Sequence, residues 1–351
     1  MRGKGIHYDT GTSPNGQSSR PSFDPRIVEQ EMRIIAEDLR CSAVRITGGD
    51  PDRLTTAAIH AAAAGLEVWY SPFPCEMTNQ QMLPYFAHCA EQAEQLRRDG
   101  ADVVLVTGCE LSVFAAGYLP GDTFSARIPV LAGPGREAAL KGIPDRVNAF
   151  LDEVVHTVRP AFGGPISYAS SPLDGVDWSP FDIVGLDAYR SLRNAATYRD
   201  DLRTDLVHGK PVAIMEVGCC TYQGAGDFGG AGWYLAMEPD GVTLKADLVR
   251  DEGEQVRYLH DLMPVFEEEG IDTVFWFSFA GYSTPHRAAP GSDLDLASYG
   301  IVKLLDGDDS PAPAPARTYP GMPWEPKEAF HALAAYYGGL GRQPTTDTSP
   351  R

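Results

Sequence analysis

The 351-residue sequence contains no apolar run that approaches the roughly 20 residues of a membrane-spanning helix. It also lacks a GxGxxG turn after its first predicted strand, so the usual signature of a dinucleotide site is missing. Basic residues are few, because 29 Lys and Arg stand against 48 Asp and Glu, for a net charge of −19. An acidic surface of this kind repels phosphate backbones. We therefore expect neither a nucleic acid nor a membrane as a partner.

The six cysteines form no CxxC pair and show no regular spacing, so neither a zinc site nor a disulfide framework is predicted. His7 has no second histidine beside it, and a buried core histidine is the simpler interpretation. We accordingly predict no metal and no cofactor. The first predicted strand begins near Lys4, which leaves no room for a signal peptide, and this favours a cytoplasmic protein. The oligomeric state is not indicated.

Strand-like and helix-like runs alternate along almost the whole chain. The predicted strands cover residues 5–8, 43–47, 67–71, 103–111, 166–169, 183–187, 211–218 and 273–278. The predicted helices cover about 25–39, 50–66, 79–98, 145–158, 198–207, 251–269 and 326–337. This alternation predicts an α/β protein with a single (β/α)₈ TIM barrel over residues 1–342 and a disordered tail over 343–351. Long loops are expected after strands four, seven and eight, at 112–135, around 224–232 and at 281–319, the last including a proline-rich stretch at 311–315.

Two of the predicted interior strands carry a glutamate at the carboxyl end, Glu110 on the fourth and Glu216 on the seventh. Catalytic residues of a barrel stand at this end, where the connecting loops enclose a pocket. The fourth and seventh strands lie on different sides of an eight-stranded ring, so the two carboxyls are expected to face each other across a substrate. Structural roles such as loop capping or pairing with arginine are the alternative. A paired acid and nucleophile is the chemistry of glycoside hydrolysis.

The other strand ends supply aromatic rings, one arginine and small polar groups, which suit sugar binding. The candidates are His7, Arg45, Trp69, Cys109, Tyr168, Asp187, Tyr189 and Trp276, with Trp233 in a glycine-rich loop. Each also has a plainer interpretation. Trp69 and Trp276 are equally suited to filling the barrel. Arg45 could be a salt-bridge partner, Asp187 could cap a loop, and Trp233 could be a surface anchor.

Three short motifs resemble those of the clan A glycoside hydrolases, and most closely the family 113 mannanase-type enzymes: 108–111 (GCEL), 186–189 (LDAY) and 214–218 (IMEVG). The resemblance implies a retaining barrel enzyme in which Glu110 is the acid/base and Glu216 the nucleophile. It also implies that Arg45 and Tyr189 orient the nucleophile and that Trp276 forms the floor of the subsite that holds the cleaved sugar. Cys109 departs from the clan pattern, which has Asn there in contact with the sugar's 2-hydroxyl, so the identity of the substrate stays open.

The sequence thus predicts a retaining glycosidase that acts on a small soluble glycoside or oligosaccharide. Similar actinobacterial chains are labelled abortive-infection proteins, which implies phage defence. A glycan-binding or defence protein without turnover is therefore one alternative. A different barrel enzyme that uses a single glutamate for proton transfer is another.

Overall fold

Eight parallel strands form a nearly closed barrel in the computed structural model, which describes residues 1–238, 243–306 and 317–339. The strands pair in the order β5-β4-β3-β2-β1-β8-β7-β6, and a parallel bridge between Ser170 and Leu186 joins the two ends. The barrel strands are β1 (Gly3–Asp9), β2 (Ala43–Gly48), β3 (Glu67–Pro72), β4 (Val103–Cys109), β5 (Ile166–Ala169), β6 (Val184–Asp187), β7 (Val212–Val217) and β8 (Thr273–Trp276). The predicted (β/α)₈ TIM barrel is confirmed.

Helices follow the strands and surround the barrel. They are α1 (Pro25–Glu37), α2 (Pro51–Ala63), α3 (Asn79–Arg98), α4 (Leu111–Phe114), α5 (Phe124–Ala132), α6 (Arg136–Leu140), α7 (Ile143–Val158), α8 (Tyr198–Leu206), α9 (Gly232–Ala236), α10 (Glu252–Glu268) and α11 (Glu328–Tyr337). A two-stranded antiparallel ribbon, β9 (Val302–Leu304) and β10 (Trp324–Pro326), lies between β8 and α11. None of the described helices combines the length and apolar character needed to cross a membrane.

The starts of the first helices follow directly from local sequence. The Asp24 side chain accepts a hydrogen bond from the Arg26 amide at the start of α1, and Asp50 does the same for the Asp52 amide in α2. A proline occupies the first turn of both helices, where its missing N–H costs no helical hydrogen bond. Thr78 and Gln81 form a capping box at the start of α3. These caps determine where α1, α2 and α3 begin.

Side chains alternate along each strand between two apolar layers. The inner layer fills the barrel and includes Trp69, Val104, Ala213, Met215 and Phe275. The outer layer packs the other strand face against the helices. Because both layers exclude water, polar side chains gather at the carboxyl ends of the strands.

The connection after β4 differs from the prediction. Residues 112–135 were expected to form a loop, but this stretch holds most of α4 and all of α5. Both helices are short, and Pro129 lies inside α5, so the usual signals of a helix are weak here. The proline-rich stretch 311–315 and the expected tail 343–351 lie outside the described residues.

A buried ion network holds the connections after β7 and β8 together. The Lys327 ammonium lies 2.8 Å from an Asp295 carboxylate oxygen and donates a hydrogen bond to the Thr221 hydroxyl. Arg250 bridges Asp293 and Asp295 at 2.8 and 2.9 Å. Removing one member would leave a buried charge unpaired, at a cost of about 3–5 kcal/mol. This network therefore fixes two of the long connections at the barrel mouth.

Candidate active site

Both strands that carry a candidate glutamate are irregular close to it. The pairing of β4 with β5 shifts register between Val106 and Cys109, where Gly108 has a φ of +109°. The pairing of β6 with β7 shifts register just before Glu216. Bulges of this kind redirect side chains and are common beside active sites. Here they direct Cys109 inward and place both glutamates at the barrel mouth.

Glu216 lies in β7, and each of its carboxylate oxygens accepts a strong hydrogen bond. The Arg45 guanidinium donates to Oε1 at 3.0 Å, and the Tyr189 hydroxyl donates to Oε2 at 2.9 Å. Arg45 is itself fixed, since it also donates to the Met215 carbonyl and to the Ser71 hydroxyl. Burial raises the pKa of Tyr189 well above its usual range, so the phenol keeps its proton. The Glu216 carboxylate is therefore held in one orientation by a fixed cation and a neutral donor.

Two further side chains lie beneath Glu216. The Cys109 sulfur is 3.6 Å from Glu216 Oε1 and 3.7 Å from Asp187 Oδ2, and both Cys109 and Asp187 are buried. Burial raises the pKa of Asp187 well above its usual range, and the charges of Glu216 and Glu110 add to the shift. The pKa of the Cys109 thiol is raised for the same reason, burial first. The Cys109 thiol therefore keeps its proton at neutral pH.

The donor atoms of Cys109, Asp187 and Glu216 lie within 4.8 Å of one another, a spacing that a metal ion could bridge. However, the Arg45 guanidinium already lies 3.0 Å from Glu216 and 3.9 Å from Asp187. A metal ion at this point would have to approach a fixed positive charge. The local chemistry favours the arginine as the counter-charge of these carboxyls.

Glu110 has very different surroundings. It is the first residue after β4, its backbone is left-handed (φ 43°, ψ 47°), and its side chain is half-buried. No side chain of the described part of the protein donates a hydrogen bond to its carboxyl group. Burial raises the pKa of Glu110 to about 8, with further contributions from the charges of Glu216 and Asp174. A non-glycine residue in this backbone region is strained, and such strain is concentrated at functional sites.

Phe277 is an aromatic residue that sequence reasoning missed, and its ring contacts two residues of the site. Its centroid lies 4.5 Å from His7 and 6.3 Å from Tyr189. Trp276 was the predicted aromatic residue, but it is fully buried. Its ring centroid lies 6.2 Å from that of Tyr258 in α10. Side chains alternate along β8, so Phe275 belongs to the inner layer and Trp276 to the outer layer. The predicted role of Trp276 as a subsite floor is therefore corrected.

The end of β8 approaches β7 very closely at this point. A Cβ atom at Gly218 would lie 2.2 Å from the Phe277 carbonyl oxygen. Only glycine fits here, because the clash would be with backbone. Gly218 thus brings the Phe277 segment next to the strand that carries Glu216.

Two more predicted sugar contacts lie away from the mouth. Tyr168 is fully buried in the outer layer, where its hydroxyl accepts a hydrogen bond from the Leu111 amide and donates one to Asp174. It therefore supports the turn that carries Glu110. Trp69 fills the inner layer, packs edge-to-face on Phe275 at 4.9 Å and donates to Glu67 at the opposite end of β3. Neither ring is available to a sugar.

His7 is nearly fully buried beside the site. Its Nε2 atom lies 2.8 Å from the Thr47 hydroxyl, while Nδ1 has no partner among the described residues. Burial lowers the pKa of His7 well below its usual range, with a contribution from the Arg45 charge. The ring is therefore neutral at physiological pH and offers its Nδ1 atom as a possible hydrogen-bonding group.

The start of the α5 helix contacts the connections that follow β1, β3 and β7. Glu76, after β3, accepts hydrogen bonds from the amides of Phe124 and of Asn15, which follows β1. The Phe124 ring stacks on Phe114 with centroids 4.6 Å apart and meets Trp233, after β7, at 6.0 Å. Connections from different sides of the ring thus meet at the start of α5. Trp233 keeps 36% of its surface exposed, so it forms part of the outer rim.

No protein-family model and no curated protein sequence matches the chain. Among solved structures, a GH113 β-1,4-mannanase superposes with a TM-score of 0.63 at 15% identity, covering 97% of this chain and 100% of the other. The GH113 β-mannanase AaManA from Alicyclobacillus acidocaldarius gives 0.61 at 16% identity, with coverages of 97% and 98%.

A third similar structure is a GH5-4 broad-specificity endoglucanase from Clostridium longisporum, with a TM-score of 0.55 at 11% identity and coverages of 96% and 97%. These similarities extend over almost the whole chain, but the identities are low, so they concern the fold. They agree with the resemblance that the short motifs indicate. The protein has the (β/α)₈ barrel fold of the GH113 and GH5 glycoside hydrolases.

Proposed function

We propose that the protein is a retaining glycosidase that hydrolyses a small soluble glycoside or oligosaccharide. The proposal rests on one observation, which is that two carboxyl groups at the same end of the barrel have different surroundings. Glu110 has a pKa raised to about 8, and Glu216 is paired with Arg45 and Tyr189. One carboxyl suits proton donation at neutral pH and the other suits nucleophilic attack.

In the first step, protonated Glu110 gives its proton to the glycosidic oxygen while a Glu216 oxygen attacks the anomeric carbon. The bond to the leaving group breaks as the glycosyl–Glu216 ester forms. Tyr189 and Arg45 hold the attacking carboxylate in place. In the second step, ionised Glu110 takes a proton from water, which attacks the anomeric carbon and releases Glu216.

The surroundings of the pair support a carbohydrate substrate. Phe277 and Tyr189 offer apolar faces, and the unpartnered Nδ1 atom of His7 can bond a hydroxyl. The GH113 proteins of similar fold are named as β-1,4-mannanases and the GH5-4 protein as an endoglucanase. We therefore favour β-linked mannosides and glucosides as the first substrates to test.

The test is release of the aryl group from a panel of aryl β- and α-glycosides. We expect the wild-type protein to cleave at least one β-glycoside. Glu216→Gln should reduce its kcat/KM on the order of 10⁴-fold or more, because the nucleophile is lost while the shape is kept. Undiminished release by Glu216→Gln would overturn the nucleophile assignment. Binding of a glycan without turnover by the wild type would favour a glycan-binding protein instead, and a dependence on added divalent metal would favour a different barrel chemistry.

A further inference from the structure

The backbone that carries Glu110 is held by the neighbouring strand β5. The Glu110 amide donates to the Ala169 carbonyl at 2.9 Å, and the Leu111 amide donates to the Tyr168 hydroxyl at 2.7 Å. Glu110 itself has the left-handed conformation that residues other than glycine rarely adopt. Such a conformation persists only where the surrounding contacts determine it. The contacts that fix these two amides therefore also fix the direction in which the Glu110 side chain leaves the backbone.

Asp174, in the connection between β5 and β6, bonds both sides of this arrangement. Its Oδ1 atom accepts a hydrogen bond from the Ser112 amide, the third consecutive amide of the turn after β4, at 3.3 Å. Its Oδ2 atom accepts from the Tyr168 hydroxyl at 3.0 Å. The same oxygen accepts from the Ser171 amide at 3.0 Å and from the Ser171 hydroxyl at 3.2 Å. One carboxyl group thus joins the turn after β4 to the end of β5.

Asp174 is also a buried acidic group that interacts with the Glu110 carboxyl. Asp174 is fully buried, and its four donors are all neutral groups that favour the charged form of the carboxyl. Burial raises the pKa of Asp174, and these hydrogen bonds act against the rise. The charge of Asp174 in turn adds to the raised pKa of Glu110. Asp174 therefore acts on Glu110 both through the backbone and through its charge.

Other titratable and charged groups surround the same two carboxyls. Those that interact with Glu110 come from β2, β4, β6 and β7 as well as from the connection after β5, and they are Arg45, Cys109, Asp187, Glu216 and Asp174. Those that interact with Asp174 are Glu110, Tyr118, Tyr168 and Asp187. A change at Asp174 is therefore measured against these other charges, which the variants described below leave in place.

We propose that Asp174 is a positioning residue for Glu110, which holds the turn after β4 in place and keeps a negative charge near the acid/base group. Its hydrogen bonds keep the strained turn in one conformation, and its charge opposes ionisation of the Glu110 carboxyl. No step of the proposed reaction takes place at Asp174 itself. The inference rests on the proposed glycosidase function and deepens it, because it names the residue that prepares Glu110 for proton donation.

The experiment compares three variants that change the charge and the turn separately. Asp174→Asn removes the charge, whereas Tyr168→Phe removes the acceptor of the Leu111 amide and leaves the charge. Asp177→Asn is the matched control, because Asp177 is exposed in the same connection and accepts hydrogen bonds from Ser179.

Two properties are measured for each variant. The first is kcat/KM as a function of pH, on a glycoside with a poor leaving group and on the corresponding glycosyl fluoride, whose departure needs no proton. The second is the titration of the Glu110 carboxyl, followed by NMR on protein labelled with ¹³C at the glutamate side-chain carboxyls. Glu110→Gln assigns the signal. The titration requires no turnover, so it tests Asp174 independently of the proposed function.

We expect Asp174→Asn to lower kcat/KM at neutral pH roughly 10- to 100-fold for the poor leaving group and much less for the fluoride, because proton donation is impaired. The Glu110 titration, and with it the fall of kcat/KM at alkaline pH, should move to lower pH by about one pH unit, since a neighbouring negative charge is gone. Tyr168→Phe should show the same dependence on the leaving group with a smaller change in the titration. Asp177→Asn should behave like the wild type.

An unchanged Glu110 titration in Asp174→Asn would overturn the positioning role, while turnover by the wild type would leave the proposed function standing. Equal losses on both substrates in Asp174→Asn and Tyr168→Phe would also overturn it, and if Asp174→Asn does not fold, equal losses in Tyr168→Phe alone would do so. Absence of turnover by the wild type together with a lowered Glu110 titration in Asp174→Asn would support the role of Asp174 and contradict the glycosidase.

Discussion

Glu216 and Glu110 stand at the same mouth of the barrel, but their side chains have opposite surroundings. Glu216 is anchored from both oxygens, by Arg45 at 3.0 Å and by Tyr189 at 2.9 Å. Glu110 follows its strand in a strained left-handed turn, and no described side chain donates to its carboxyl group. The first carboxyl is fixed in position and paired with a cation, while the second is held mainly through its backbone.

This difference gives two identical side chains different electrostatic surroundings within one site. Arginine beside a carboxylate favours the charged form, and burial without a partner favours the neutral form. A nucleophile needs fixed geometry and charge, whereas an acid that becomes a base must gain and lose a proton within one turnover. The roles proposed for Glu110 and Glu216 rest on this contrast, and the following variants test it.

After the loss already described for Glu216→Gln, the largest expected effect in this comparison is that of Glu110→Gln. Loss of general acid–base catalysis should lower kcat/KM by about 10²–10⁴-fold for a glycoside with a poor leaving group. The loss should be much smaller for a glycosyl fluoride, whose departure needs no proton. Steady-state kinetics on the two substrates measure the difference. Equal losses on both would mean that Glu110 does not protonate the leaving group.

Tyr189→Phe removes one of the two anchors of Glu216 and leaves the ring in place. A hydrogen bond to a charged group contributes about 1.5–3 kcal/mol, so kcat/KM should fall roughly 10- to 100-fold. Tyr198→Phe is the matched control, because its hydroxyl donates to the Ala188 carbonyl and does not contact Glu216. A loss in the control as large as in Tyr189→Phe would show that the effect is one of loop stability.

The pH dependence of wild-type activity should reflect the raised pKa of Glu110. Because the acid must be protonated, kcat/KM should fall about tenfold per pH unit above pH 8, and Glu110→Gln should lack this descending limb.

The raised pKa of Glu110 also affects the stability of the fold. A carboxyl whose folded pKa is raised from 4.5 to about 8 stabilises the fold below pH 4.5, and this contribution is lost as the pH rises through 8. Thermal unfolding of wild type and Glu110→Gln between pH 5 and pH 9 checks that sign.

The fold and the two glutamates could be predicted from sequence because they follow from short-range patterns. Buried strands appear in the sequence as apolar runs, and capping residues such as Asp24 and Asp50 mark where helices begin. Once eight strands are counted, topology brings the ends of the fourth and seventh to one mouth. Cys109, Asp187 and Tyr189 lie at or just beyond strand ends by the same rule. Arg45 lies within β2, and the structure brings all four to the surroundings of Glu216.

The remaining features depend on contacts between residues that are far apart in the sequence, and local sequence patterns do not indicate such contacts. Trp276 was predicted from its place near the end of the eighth strand and from the family resemblance, and the next residue, Phe277, was not considered. The α5 helix escaped prediction because it is short and contains Pro129. Its first residue, Phe124, contacts Glu76 and Trp233, which lie far from it in sequence. The raised pKa of Glu110 arises from burial in the folded protein and has no signature in the sequence.

The central claim is that Glu216 forms the covalent bond to the sugar and Glu110 does not. It is tested most directly by incubating the protein with a 2-deoxy-2-fluoro glycoside that carries a good leaving group, followed by protease digestion and mass spectrometry. The fluorine slows the second step, so the glycosyl–enzyme should accumulate. We predict one added sugar per protein, on the peptide that contains Glu216. A sugar attached at Glu110 or Asp187, or turnover by the wild type with inversion at the anomeric carbon, would contradict the account.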